Sequence, residues 1–179
     1  EVVGHKYADL STHDYGVALM NDCKYGYMVY DNMLDLNLLR SPSNPDPDAD
    51  IGEHQFIYSL LPHKNNLIRS DVIIESKYLN QKPILFDRVS SDIKTEIFLD
   101  ADQIELSVIK KAEKEECLIL RIIETHGRKS SGRLYLKGSL IECDLLEWKQ
   151  LSEKVDIVDH YPITLNPFEI KTYMFYKKD

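Results

Sequence analysis

Short runs of β-forming residues recur along this chain at intervals of roughly 8–12 residues, and that repetition constrains the fold more than any other feature. GVALM, YGYMVY, LDLNLL, HQFIYSLL, KTEIFL, IELSVI, CLILRII, GRLYLK, SLIECDLL and EIKTYMFY are short, and most are rich in β-branched, aromatic or Leu residues. Between them stand NDCKYG, YDN, NPDPDADIG, HGRKSSG, KGS and LNP, which are turn chemistry. The pattern predicts an all-β chain built as a sandwich or barrel. One segment departs from it. Residues 65–79 (NNLIRSDVIIESKYL) place apolar side chains at 67, 68, 72, 73 and 79, close to a helical period, and predict a short helix.

Polar residues cluster at 89–93 (VSSDI), and the charge changes across them: residues 1–92 carry a net −6 and residues 93–179 a net −2. A domain boundary is expected there. The alternation of Glu105, Ser107 and Ile109 with Leu106 and Val108 predicts a strand with one wet face. Cys117 to Ile123 is almost continuously apolar and predicts a central strand covered on both faces. The expected core of the second domain is Leu118, Leu120, Ile122, Leu134, Leu136, Leu145 and Phe168. Trp148, in DLLEW, is expected to be buried too.

Apolar residues at 43% and charged residues at 29% describe an ordinary globular chain. No apolar run approaches the ~20 residues that cross a bilayer. A net charge of −8 argues against nucleic acid and anionic membranes as partners. Cys23, Cys117 and Cys143 cannot all pair within the chain, and no CxxC is present. Reduced thiols in a cytoplasmic protein are the favoured reading, with Cys117 and Cys143 in the core. A first residue of Glu rather than Met points to a chain cut from something longer.

Motifs that carry chemistry are sparse. Asp46, Asp48 and Asp50 alternate as in a calcium loop, but Pro47 interrupts them, Ile51 takes the Gly position and Ile57 stands where the bidentate Glu should be. A rigid acidic surface loop is the better reading. The six His residues form no HxH or HExxH. No GxSxG, Walker A or GxGxxG occurs. Arg40, at the end of LNLL and before Ser41-Pro42, can present a fork of donors to sugar hydroxyls or form an ion pair with the Asp46–Asp50 loop; the residues alone favour the ion pair. Tyr25, Tyr27 and Tyr30 have the spacing of cross-strand packing pairs rather than of a sugar platform.

Several blocks nevertheless fall in a recognisable order: KYADLS, YGVALMNDCKYGY and LNLLRSPSNPDPDADIGEHQFIYSLLPH in the first 63 residues, then ELSVIKKAE, LILRIIETHGRKSSGRLYL, CDLLEW and NPFEIKTYMF. Together they resemble the C-terminal region of the glycoside hydrolase family 38 α-mannosidases, metal-dependent retaining enzymes, and within them the bacterial and cytosolic subgroup. The resemblance implies that residues 1–92 are the last part of a galactose-mutarotase-like β supersandwich and that residues 93–179 are a terminal β-sandwich. It implies that the zinc or other divalent metal, the nucleophile and the acid/base group belong to an upstream catalytic domain, so that this chain holds no cofactor and no catalytic residue. The partners implied are that domain and, through the parent enzyme, mannose-containing oligosaccharides. Arg40 is the one residue that the resemblance places at the pocket rim. A free-standing carbohydrate-binding module and a scaffold or oligomerisation module are the alternatives.

Overall fold

The computed structural model describes residues 1–85, 87 and 96–178. It is all-β apart from one 3-10 turn and one α-helix, as the spacing of strand signals requires. The chain divides into two compact units, Glu1–Asp87 and Arg88–Asp179. The boundary expected at 89–93 lies outside the described residues.

In the first unit, β1 (Val2–Val3), β4 (Gly26–Tyr30) and β5 (Met33–Leu36) form one antiparallel sheet in the order β1-β4-β5. Strands β2 (Tyr7–Ser11), β3 (Tyr15–Asn21) and β6 (Tyr58–Lys64) form another, with β3 in the centre. Pro62 lies on the edge strand β6, where its missing N–H costs no ladder bond. The predicted helix resolves into a 3-10 turn at Leu67–Arg69 and α1 at Val72–Asn80. Asn66 caps the 3-10 turn by accepting the Arg69 N–H at 3.2 Å. Helix α1 lays Val72 on Ala18 and Met20 of β3, with Tyr7, Leu61, Leu67 and Leu79 packed around them.

The second unit is a two-layer sandwich. Its larger sheet runs in the order β12 (Val155–Ile157), β11 (Gly138–Cys143), β14 (Ile170–Lys177), β9 (Leu118–Glu124), β8 (Ile104–Lys111). The smaller runs β13 (His160–Leu165), β10 (Ser130–Tyr135), β7 (Phe98–Asp100). Leu120, Ile122, Tyr173, Phe175 and Leu140 of the first meet Leu134, Ile163 and Leu165 of the second in one core, with Leu136 and Ile157. Strand β9 is covered on both faces, as its apolar run predicts, because Ile119 points the other way into a cluster with Ala112, Cys117, Ile141, Cys143 and Met174. Burial raises both core thiols, that of Cys143 to about 11. Cys23, in the first unit, is exposed.

Three core expectations are overturned. Leu145 is 56% exposed, Trp148 67% and Phe168 70%. The strand expected through SLIECDLL ends at Cys143, because the Asp144 carboxylate folds back to accept the N–H groups of Trp148 at 2.9 Å and Lys149 at 3.3 Å. That turn carries Leu145 and Trp148 out of the sheet. Phe168 takes φ 57° in a turn and lays its ring beside Gly127, itself at φ 68°.

A buried carboxylate ties these turns together. Glu124, 1% exposed, accepts from the backbone N–H groups of His126 at 2.8 Å, Gly127 at 2.9 Å and Phe168 at 2.9 Å, and from the Ser130 hydroxyl at 3.3 Å. Burial alone would raise its carboxyl. The backbone donors of Phe168, His126, Gly127 and Arg128 outweigh that and hold it below the ordinary value.

Candidate functional site

In the first unit, the NDCKYGY block is a built turn. Asn21, 1% exposed at the end of β3, accepts the Cys23 N–H at 3.0 Å through its side-chain oxygen and donates through its amide to the Tyr27 hydroxyl. Tyr27 is buried in β4 opposite Leu36 of β5, so it is a cross-strand packing residue as expected. Tyr25 precedes the strand and meets the His5 ring edge-on at 4.9 Å. Asp22 locks the turn to the start of β6, exchanging bonds with Ile57 at 2.9 and 3.2 Å. The Ile57 N–H, and then the Cys23 thiol, hold the Asp22 carboxyl below its usual value; the same thiol contact raises Cys23.

This turn forms one side of an open groove of about 720 Å³. Lys24, Tyr25, Asn37, Leu39, Arg40 and Asp50 are among its lining residues. The sequence pattern runs LDLNLL together as one strand, but β5 ends at Leu36, and Asn37 to Arg40 leave it as loop. Asp50 fixes that loop. Its carboxylate accepts from the N–H of Ser41 at 2.6 Å and of Arg40 at 3.2 Å, holding Ser41 at φ 47°. The ion pair expected between Arg40 and the acidic loop is thus replaced by a backbone clamp. The guanidinium instead reaches Glu1 at 3.3 Å, and both side chains are exposed. Asp46 and Asp48 are exposed, and the Asp46 carboxylate accepts the Asp48 N–H at 3.0 Å, as suits a rigid surface loop.

The groove offers donors: the Arg40 fork, the Lys24 ammonium and the Asn37 amide. Such a set orients a hydroxylated ligand. A retaining glycosidase also needs two carboxylates ~5–5.5 Å apart. Asp50 is committed to two backbone N–H groups and Glu1 to Arg40. Among the described residues, no three His, Cys, Asp or Glu side chains gather where they could hold a metal ion. At this groove the donors are side-chain N–H groups, while the Asp50 and Glu1 carboxylates are already engaged by protein partners.

A second polar cluster went unread in the sequence. Across the β2-β3-β6 sheet, the Asp9 carboxylate meets His63 Nε2 at 2.7 Å and accepts from the Ser11 hydroxyl at 2.6 Å. The His63 and Asp9 side chains are 6% and 5% exposed. The hydroxyl bonds to the acid rather than to the imidazole, so nothing there activates a nucleophile. A Cβ on Gly16 would come within 2.5 Å of the His63 ring, which explains the Gly in YGVALM. The partners lie 54 residues apart, and no local spacing announces them.

Comparison with known proteins agrees with this architecture. The description "Glycosyl hydrolases family 38 C-terminal domain" matches residues 1–48, and "Glycosyl hydrolases family 38 C-terminal beta sandwich domain" matches residues 103–173. This chain is a family 38 C-terminal region. Alpha-mannosidase G of Dictyostelium discoideum is 39% identical over 188 residues, covering 98% of this chain and 17% of that protein. Alpha-mannosidase 2C1 of Mus musculus is 34% identical over 97% of the chain and 18% of its own length. An alpha-mannosidase of Saccharomyces cerevisiae is 30% identical over 98% of the chain and 19% of its own. The chain thus spans less than a fifth of the length of these relatives.

Proposed function

We propose that this chain is the non-catalytic C-terminal part of a cytoplasmic α-mannosidase that hydrolyses terminal α-linked mannose with retention, and that Arg40 stands at the rim of its substrate pocket. The observation that carries the reading is similarity over nearly the whole chain to proteins named alpha-mannosidase. Residues 1–92 are then the end of a β supersandwich and residues 93–179 the terminal sandwich. A zinc or other divalent metal, the nucleophile and the acid/base carboxylate come from elsewhere in the parent. The clamped loop supports the rim role: Asp50 fixes the Arg40 backbone while leaving the side chain 74% exposed and its guanidinium able to exchange Glu1 for sugar hydroxyls.

The test has two arms. The purified 179-residue chain leaves an aryl α-mannoside intact, with or without zinc or cobalt; turnover removed by a chelator would overturn the assignment of chemistry to other parts. In the full-length parent, Arg40→Ala raises KM or lowers kcat. Unchanged kinetics at unchanged stability would reduce Arg40 to its surface pair with Glu1.

A further inference from the structure

The second unit carries a small pocket of about 190 Å³ on the face of its larger sheet that points away from the smaller sheet. Ala112 and Met174 belong to the apolar cluster on that face and line the pocket with the turns around Glu113–Glu115 and Leu145–Trp148. The second turn is fixed at both ends. Asp144 accepts the Trp148 and Lys149 N–H groups, and Glu147, at φ 65°, accepts from Lys110 at 3.0 Å and from Arg121 at 3.1 Å. What this rigid turn presents is the chain's one Trp, 67% exposed, with the Lys114 ammonium 4.0 Å from its ring centroid. Holding a large aromatic ring in water forgoes its burial. Tyr173 and Phe175 of the same unit are closed in the core, while Phe98 and Phe168, like Trp148, stay exposed, and of these three only Trp148 lines this pocket.

We propose that this pocket binds one neutral hexopyranose, the apolar C–H face of the sugar stacking on the Trp148 indole. Its hydroxyls bond to the Lys114 ammonium and to the carboxylates of Glu113 and Glu115. The size fits: pockets for drug-sized ligands start near ~300 Å³, and this one is of single-ring dimensions. The chemistry fits as well. Each sugar hydroxyl both donates and accepts, and the rim supplies ammonium donors and carboxylate acceptors without the one-signed excess that an ion requires. That the sugar is mannose rests on the function proposed above; that a pyranose binds does not.

The experiment uses the 179-residue chain, in which Trp148 is the only indole fluorophore. Titration with methyl α-D-mannopyranoside gives a saturable change in Trp emission, half-complete on the order of 1–10 mM as expected for so small a ligand. Saturation-transfer NMR shows the strongest transfer to the ring C–H groups. By the same NMR readout, Trp148→Ala weakens binding about tenfold or more, Trp148→Phe keeps part of it, and circular dichroism reports both variants folded. Glycerol, which has no ring face, gives no saturable response. The site is overturned by an absent response up to about 100 mM sugar, by an equal response to glycerol, or by undiminished binding in a folded Trp148→Ala. It is equally overturned if Trp148→Ala changes only the sedimentation of the chain, which would make the ring a protein contact. Mannoside hydrolysis by the parent is scored separately and decides the glycosidase reading alone.

Discussion

The two units spend their apolar residues differently. In Arg88–Asp179, two sheets face each other across one layer, and Leu120, Ile122, Leu134 and Leu165 are fully enclosed. In Glu1–Asp87, the β2-β3-β6 sheet and the helix share a small buried apolar cluster of Ala18, Met20 and Val72, while Tyr58, Leu60, Tyr30 and Val3 stay 58–82% exposed. The first arrangement is that of a domain with its own core; the second exposes what a neighbouring layer would ordinarily cover. Sequence composition hides the contrast, because both halves carry the same kind of strand. What differs is whether each strand finds a second sheet to bury its apolar face.

The sharpest way to break the contrast is mutation of the enclosed layer. Leu120→Ala should destabilise the second unit by ~2–5 kcal/mol in denaturant unfolding, and Met20→Ala, in the smaller cluster, should fall at the low end of that range. Equal losses would mean that the units are equally well packed. Next comes Glu124→Gln, which turns an amide NH2 towards backbone donors and should cost about 2–4 kcal/mol. The pH dependence follows from the same group. Its folded carboxyl lies below the unfolded value, so its contribution is present at neutral pH and is lost as the pH falls through the acid range below the ordinary carboxylate value. Acid titration of stability should therefore be flatter in Glu124→Gln than in the parent sequence. Gly127→Ala is smaller: the residue sits at φ 68° and its new Cβ meets the Phe168 ring at 2.6 Å, for about 1–2 kcal/mol by thermal melting. Smallest is Arg40→Ala, which removes only an exposed ion pair and should move stability by less than about 0.5 kcal/mol.

Much of the fold is legible in the strings themselves. The alternation in IELSVI, the unbroken run in CLILRII and the helical period at 65–79 each report which faces are covered, and the structure follows them. The misreadings share one physical cause, a long-range or side-chain bond that local pattern does not carry. DLLEW resembles a strand until Asp144 turns the backbone. NPFEI resembles core until Glu124, 44 residues away, takes the Phe168 N–H. HYPITL is absent from the strand signals of the sequence, yet β13 forms there at the edge of its sheet, where Pro162 is tolerated. Arg40 was legible as a donor at a loop, but neither the Asp50 clamp nor the Glu1 pair can be read from spacing.

The margins of the larger sheet have a consequence for how copies of this chain meet one another. One margin, β12, is three residues long. The other, β8, has a register shift between Leu106 and Val108 and ends in Lys110 and Lys111. Short length, a bulge and lysines are the features that stop a foreign strand from adding to an open sheet. Copies of such a sandwich brought together at high concentration are hindered from adding a strand at either end of this sheet.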